Sequence, residues 1–533
     1  MSASQQKKVR QELRDKGLEK RQIAQQKIEK AEKKHTTTKS VVSIVIIVAI
    51  IVAVFISSNL SYSIFPAVKI GDVSYSAAQY TFFYKNTVNS FVNQYSSYLS
   101  QIGLDTSKPF NQQKYAGDET KTWADHFKES AEDTMKQVTA YYAAAEKAGF
   151  TLSDTDQATL DTNLKSLSTC YTGSEYTTAD TYLAANYGKG VTEKLVADLY
   201  RKSSIATAFQ TKQEASYTYT TDQDRSYYST NKDDLDNYIY ITYTVDGSVK
   251  DTSTTDSTST SATDVASPST STSATDVASP SPSPDNTAEK AEALAAAKTK
   301  ADDIVKAGTT EDKFKAAVTA ISTSATTETT TQGKSLNSTY ASWLKDSSRV
   351  AGDTTVIAGD TAYYVLYYVG RDNNNYYTVN VRHILIKAVA SSDGTYSDEA
   401  KATAKDKATA VYTQWKDSAK TEDSFASIAN ASSEDTGSNT KGGLYENVYK
   451  GQMVTNFNDW CFAVGRTAGD TGMVFNDSSS YCGYHIIYYV GPGMLYADKI
   501  AEDAQRSKDY SDWQTAQLAN YTITNGFAAF LIK

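Results

Sequence analysis

The feature that most constrains the fold of this 533-residue chain is an internal repeat. The segment WLKDSSRVAGDT at 343–354 matches WCFAVGRTAGDT at 460–471 at six positions. Shortly downstream, AYYVLYYVG at 362–370 matches GYHIIYYVG at 483–491. Each pair is preceded by a helical pattern that contains a Phe and, before that, by an alternating strand pattern. Two copies of one mixed helix-and-strand domain explain this order.

The repeat and the composition around it predict the domain organisation. We expect the two copies at 235–371 and 377–493. Residues 251–286 consist mainly of Ser, Thr, Asp, Ala and Pro and contain the decamer TSATDVASPS twice, which predicts a disordered insert in the first copy. Helical patterns that begin at Ser, Thr or Asp predict a helical domain at 65–230, which we expect residues 496–533 to complete. The predicted fold class is α+β with several domains.

An uncharged apolar run, VVSIVIIVAIIVAVFI at 41–56, follows a basic N-terminal segment. At about 1.5 Å per residue, a helix over 41–60 is long enough to cross a hydrocarbon layer of about 30 Å. A cleaved signal peptide is the alternative, but the basic region is long and no small-x-small cleavage site follows. The sequence therefore predicts a cytoplasmic segment at 1–40, a transmembrane helix at 41–60 and extracytoplasmic domains after it.

Charge and cysteine usage exclude several classes of function. The formal net charge is −9, and residues 1–40 hold 12 Lys and Arg against 5 Asp and Glu, so the rest of the chain is strongly acidic. Such a chain lacks the basic footprint that nucleic-acid binding needs. Four His and three Cys leave little for a metal cluster, and no G-x-S-x-G motif indicates a serine hydrolase. Cys461 and Cys482 either form a disulfide or stay as buried thiols.

A series of spaced motifs lies in the second copy. VRHILI at 381–386 precedes DSFASIANASSED at 423–435, and TKGG, GQMVTNF and GYHII follow in that order. This order resembles the parvulin-type peptidyl-prolyl cis/trans isomerases, especially foldases of the PrsA and SurA class. The resemblance implies two parvulin-like domains, each with an antiparallel sheet and surrounding helices, and a helical chaperone-like domain before them. The first copy is the weaker match.

The resemblance also implies a site, whose catalytic residues would be His383, Asp435 and His485. The residues that would contact the substrate are Met453, Phe457, Tyr445, Ser480 and Cys482. Taken one at a time, His383, His485, Met453 and Phe457 each fit an ordinary core position better than a site, and Asp435 fits a turn or cap as well as a site. The joint order of the motifs favours the site, because independent core residues would not reproduce the whole series.

The chemistry of proline isomerisation suits these residue types. Rotation about an Xaa-Pro bond crosses a barrier of about 18–20 kcal/mol although no bond is made or broken. The site must hold the ring in a dry pocket and stabilise a twisted amide. Met453 and Phe457 suit the ring, and a hydrogen-bonded histidine pair sets the local potential. In the first copy Tyr364 matches His485 and Tyr240 is placed opposite His383, so we expect that copy to be catalytically degenerate.

The leading hypothesis is a membrane-anchored foldase that isomerises Xaa-Pro bonds in secreted chains and binds them while they are unfolded. No cofactor and no metal is implied, and unfolded polypeptides are the expected partners. A non-enzymatic chaperone or scaffold, whose parvulin-like domains only bind peptides, is the alternative. A cell-wall spacer protein is a third interpretation, which rests on the Ser/Thr/Pro-rich insert.

Overall fold

The computed structural model describes residues 2–17, 45–48, 50, 54, 58–248, 287–322, 326–478 and 481–532. The predicted insert at 251–286 and most of the basic N-terminal segment lie outside these residues. The described residues form a mixed α+β fold with two compact units. The first unit comprises the residues up to Tyr217 together with those from Ser507 onward, and the second comprises Thr218–Arg506. The finer domain limits given above stay predictions.

The predicted transmembrane helix at 41–60 is wrong, and the predicted membrane localisation falls with it. No helix among the described residues combines the length and the apolarity that a membrane span requires. The backbone at Ser58 is extended, with φ −80° and ψ 154°, so a helix cannot continue through this part of the predicted span. The helix that follows, α1 (Asn59–Ile64), has six residues, or about 9 Å of length, against the roughly 30 Å of a hydrocarbon core.

The first unit is built mainly of helices around an aromatic core. Its helices are α2 (Ala77–Gln94), α3 (Trp123–Lys147), α4 (Asp154–Ser168), α5 (Ala179–Tyr187) and α6 (Glu193–Ala215). Each begins at a Ser or Thr whose hydroxyl caps the first turn. Strands β1 (Pro66–Ile70) and β2 (Val73–Ser76) make a small antiparallel sheet, and β3 (Lys114–Tyr115) and β4 (Asp118–Thr122) make a hairpin.

The second unit contains two four-stranded antiparallel sheets. The first sheet has the order β6-β5-β8-β7 and uses β5 (Asn237–Asp246), β6 (Thr329–Gln332), β7 (Thr354–Ala358) and β8 (Ala362–Asp372). The helices that precede it or connect its strands are α7 (Thr221–Thr230), α8 (Lys232–Leu235), α9 (Thr287–Ala307), α10 (Glu311–Thr319) and α11 (Ser338–Lys345).

The second sheet repeats this arrangement in the order β10-β9-β12-β11. Its strands are β9 (Tyr377–Lys387), β10 (Leu444–Val448), β11 (Thr471–Asp477) and β12 (Cys482–Leu495). Its helices are α12 (Asp398–Lys416), α13 (Glu422–Ser432) and α14 (Thr455–Cys461). A long helix, α15 (Tyr496–Ala519), and a short strand, β13 (Ile523–Asn525), complete the chain, and β13 pairs with β1 in the first unit.

Strand pairing corrects one expectation about the first sheet. Tyr489 pairs with Val381, and its counterpart in the repeat, Tyr368, pairs with Tyr240. Tyr240 therefore corresponds to Val381, and the residue at the position of His383 is Thr242. The sequence comparison placed this strand two residues out of register, a shift that keeps every side chain on the same face.

Candidate active site

The two histidines lie on the central strands of the second sheet. His383 on β9 pairs with Ile487, and His485 on β12 pairs with Leu385, so the histidines are diagonal neighbours. Alternation along each strand puts both side chains on the same face. Both are buried, and their Nδ1 atoms lie 3.3 Å apart in a hydrogen bond.

Asp435 reaches this pair from the segment that follows α13. The Ser433 hydroxyl accepts a hydrogen bond from the Leu385 N–H at 3.1 Å, and the Glu434 N–H donates to the Leu385 carbonyl at 2.8 Å. These bonds hold the segment along β9. The Asp435 carboxylate thereby lies 3.0 Å from His383 Nε2, although 52 residues separate the two in sequence.

A close backbone approach also fixes His383. Its N–H donates to the Gly443 carbonyl at 2.8 Å, and a Cβ at Gly443 would lie 2.2 Å from the His383 carbonyl oxygen. The backbone at Gly443 is left-handed, with φ +70°. Only glycine meets both conditions, which gives the K-G-G motif a structural reason beside the site.

The histidines form part of the wall of a cavity of about 390 Å³. Phe457 on α14 is 1% exposed and sets its ring edge-on to both imidazoles, with ring centroids 5.6 Å from His383 and 5.3 Å from His485. The cavity is lined by His383, Leu385, Lys387, Asp435, Tyr445, Met453, Val454, Phe457, Tyr481 and His485. Its volume is in the range of small-ligand sites, and its wall combines apolar side chains with a few polar ones.

Burial and neighbouring groups set the protonation states. Burial, with the neighbouring His383, lowers the pKa of His485 to about 3, although Asp435 opposes the shift. The hydrogen bond from His383 holds the pKa of Asp435 well below its usual range, with further donation from the Ser438 and Tyr445 hydroxyls. Asp435 is therefore an anion and His485 a neutral imidazole at neutral pH.

The structure brings together six of the eight predicted site residues. His383, Asp435, His485, Met453, Phe457 and Tyr445 all line the cavity. The Tyr445 hydroxyl donates to Asp435 at 3.0 Å. The catalytic and binding roles of these residues stay predictions, because geometry alone does not test them.

The other two predicted residues do not join them. Cys482 is fully buried on the opposite face of the second sheet, packed with Ile384 and Ile486, so its predicted contact with substrate is wrong. Alternation along β12 gives the reason, since Cys482 and His485 differ by an odd number of positions. Ser480 lies outside the described residues. Cys461 and Cys482 are both free thiols.

Sequence reasoning missed Tyr481, whose hydroxyl lies 3.0 Å from His485 Nε2. Tyr481 stands four positions before His485, an even number, so the alternation of the strand would have placed both on one face.

Comparison with known proteins identifies this region. Residues 363–491 match the Rotamase_3 family, described as a PPIC-type PPIASE domain. The chain carries a PPIC-type peptidyl-prolyl isomerase domain. The prediction of a parvulin-type isomerase is thereby confirmed. The second sheet, its helices and the cavity lie within residues 377–495, the isomerase domain.

Solved structures of two PrsA peptidylprolyl isomerases are similar to parts of the chain. The protein from Bacillus anthracis is 20% identical, with 29% of this chain and 64% of that chain covered and a TM-score of 0.17. The protein from Bacillus cereus is 23% identical, with 28% and 52% covered and the same TM-score. The chain thus spans less than two thirds of either protein, and the identification rests on the family match. No curated protein sequence matches the chain.

No set of three or more His, Cys, Asp and Glu side chains within the described ranges is arranged to hold a metal ion.

Proposed function

We propose that the isomerase domain catalyses cis/trans isomerisation of Xaa-Pro bonds in unfolded or partly folded polypeptides. The observation that carries the proposal is the unbroken series of contacts from Tyr481 through His485 and His383 to Asp435, set against the edge of Phe457. A proline ring in the cavity would contact Met453 and Phe457 and would place its amide beside this series.

The site suits rotation better than bond cleavage. For a neutral His383, Asp435 receives the Nε2–H of that residue, His485 donates its Nδ1–H to His383, and the Tyr481 hydroxyl donates to His485 Nε2. Both imidazole N–H groups thus donate to partners within the series, and the series contains no activated nucleophile. A planar amide carries a larger dipole than a twisted one. Moving the amide from water into an apolar cavity therefore destabilises the planar form more than the twisted form, which lowers the free energy needed for twisting.

Exchange spectroscopy on a tetrapeptide that contains an Ala-Pro bond tests this function. We expect the purified chain to accelerate cis/trans exchange and Asp435→Asn to reduce kcat/KM by about 10-fold to 100-fold. Glu446→Gln is the matched control, because Glu446 is an exposed acid on the neighbouring strand β10. No acceleration by the folded chain, together with peptide-induced shifts at the cavity, would favour the alternative of a binding module.

We further propose chaperone-type binding of unfolded chains by the first unit. Two cavities of about 440 and 780 Å³ meet at Ser203 and Ser204 on α6 and form one groove between α4 and α6. Aromatic side chains, Phe82, Tyr182 and Tyr200, line one end of it, and Phe150 lines the other. Such a surface fits an extended segment with aromatic or aliphatic side chains.

Binding of a labelled, reduced and carboxymethylated protein, which stays unfolded, tests the groove. Ser204→Trp fills the groove and should weaken this binding by about 10-fold while peptide exchange by the isomerase domain is unchanged. Lys194→Trp, at an exposed position of the same helix, is the control and should bind as the wild type does. Equal affinity of all three proteins would contradict this part of the proposal.

A further inference from the structure

Tyr481 touches the histidine pair at the end opposite Asp435. Its hydroxyl lies 3.0 Å from His485 Nε2, and its ring centroid lies 5.8 Å from that imidazole. The side chain also lines the cavity. Neither the sequence motifs nor the family match assigns it a role.

The backbone around Tyr481 is held in place by the turn between β11 and β12. The side-chain amide of the buried Asn476 donates to the Tyr481 carbonyl at 2.8 Å, and the Ser478 hydroxyl donates to the same carbonyl at 3.0 Å. Burying an amide is costly unless it is hydrogen-bonded. The Asn476 amide has such a bond, and its acceptor is the backbone carbonyl of Tyr481. The backbone at Tyr481 is thus held by two hydrogen bonds.

The direction of the hydrogen bonds gives Tyr481 a specific task. When the Tyr481 hydroxyl donates, His485 Nε2 is bare and the His485 proton is on Nδ1, and the Asp435 carboxylate at the other end of the series, which can only accept, selects this direction. That Nδ1 proton lies against Nδ1 of His383 and requires a bare acceptor there. His383 then carries its proton on Nε2, where Asp435 accepts it. A change at the phenol therefore reaches Asp435 through two imidazoles.

We propose that Tyr481 is a positioning residue that sets the tautomers of His485 and His383. The proposal rests on the isomerase function proposed above and gives Tyr481 a specific role in it. Without the phenol, His485 can hold its proton on Nε2, and the bond between the two Nδ1 atoms then loses its donor. The histidine pair would exchange between arrangements instead of presenting one.

Two readouts on the full chain test this, the ¹⁵N spectrum of labelled histidines and the exchange rate of the Ala-Pro tetrapeptide. The variant is Tyr481→Phe, which keeps the ring in the cavity wall and removes one oxygen atom. The control is Tyr484→Phe, the same change on the opposite face of β12, where Tyr484 packs on Phe475 with ring centroids 4.7 Å apart. Both variants keep their aromatic packing, so both should fold.

In the wild type and in Tyr484→Phe, His485 should show a single tautomer protonated on Nδ1. In Tyr481→Phe the two nitrogen signals of His485 should move toward each other, and kcat should fall about 10-fold with KM changed by less than about 2-fold. An unchanged His485 spectrum in Tyr481→Phe would overturn the proposal. If the His485 spectrum changes in Tyr481→Phe but the wild type does not accelerate exchange, the positioning role is supported and the isomerase function is refuted.

Discussion

At the residue scale, the site depends on two groups with shifted pKa values, His485 through burial and Asp435 through hydrogen bonds. His485 is 4% exposed, lies beside another imidazole and has a pKa lowered to about 3. Asp435 is kept ionised by three hydrogen-bond donors from side chains, His383, Ser438 and Tyr445. The neutral imidazole and the anion sit in one network, which is the arrangement that gives a buried site a fixed internal field.

We predict that His485 does not titrate between pH 5 and pH 8. An unfolded histidine has a pKa near 6.5, so the unfolded chain takes up a proton at this position as the pH falls below that value and the folded chain does not until about pH 3. Stability should therefore fall from about pH 6.5 downward, by up to about 1.4 kcal/mol per pH unit from this group. The measurement is the pH dependence of the His485 imidazole resonances, and a midpoint near pH 6.5 would contradict the assignment.

Sequence reasoning grouped most of the residues that line the cavity, and it failed at two positions on the strands. The motif order grouped His383, Asp435, His485, Met453 and Phe457, and these five residues line one cavity. It placed Cys482 on the wrong face, which counting from His485 would have avoided. Tyr240 was exchanged for Thr242 because strands that differ in register by two residues have the same face pattern.

At the element scale, the connection between the two sheets depends on one buried asparagine. Asn374 follows β8, is fully buried and has a left-handed backbone with φ 58°. Its side-chain amide donates to the Tyr228 hydroxyl at 3.0 Å and to the Leu235 carbonyl at 3.1 Å, and its side-chain oxygen accepts from Asn237 at 2.8 Å. The connection is thereby tied to the helices that precede the first sheet.

We predict that Asn374→Ala lowers the free energy of unfolding by about 2–4 kcal/mol. The change leaves buried partners without their hydrogen bonds and puts an alanine at positive φ, which asparagine tolerates better. Asn375→Ala is the control, since Asn375 is exposed, and it should change stability by less than about 0.5 kcal/mol. Urea unfolding measures both, and equal midpoints for the two variants would refute the role given to Asn374.

At the scale of the whole molecule, the second unit contains an acidic junction between α7 and α15. Asp224 is 2% exposed and accepts a hydrogen bond from Gln505 at 3.0 Å. Burial raises the pKa of Asp224 to about 6, and the nearby carboxylates of Glu502 and Asp498 add to the shift, while Arg506 opposes it. Asp498 is itself buried and lies 3.6 Å from Arg225, whose charge opposes the rise in its pKa.

We predict that protonated Asp224 stabilises the fold at low pH and that this contribution is lost as the pH rises. The folded pKa lies above the unfolded value of about 3.8, so the loss begins near pH 4 and is complete above about pH 6. Asp224→Asn should be more stable than the wild type at pH 7.5 by about 1–3 kcal/mol and should lose this part of the pH dependence. Asp222→Asn, an exposed change in the same helical turn, should behave as the wild type. Urea midpoints of the wild type and both variants at pH 4.5 and 7.5 test this. Equal midpoints of Asp224→Asn and the wild type at pH 7.5 would contradict the prediction.

The duplication allows the site in the second sheet to be compared with the matching positions of the first sheet. The two sheets have the same strand order. Aligning Trp343 with Trp460 places Leu336 at the position of Met453 and Tyr340 at the position of Phe457. Thr242 and Tyr364 occupy the histidine positions. The first sheet thus keeps the apolar wall and lacks the histidine pair.

We expect catalysis to depend on His383 in the isomerase domain and not on Thr242 at the matching position of the first sheet. The most direct measurement is the exchange rate of the Ala-Pro tetrapeptide with the full chain, His383→Ala and Thr242→Ala, each checked for folding. Among the described residues the Thr242 hydroxyl has no hydrogen-bond partner, so its removal should cost little stability. We expect acceleration by the wild type, a loss of about 10-fold or more in His383→Ala, and a rate within about 2-fold of the wild type in Thr242→Ala. No acceleration by the folded wild type, or an equal loss in Thr242→Ala, would contradict it.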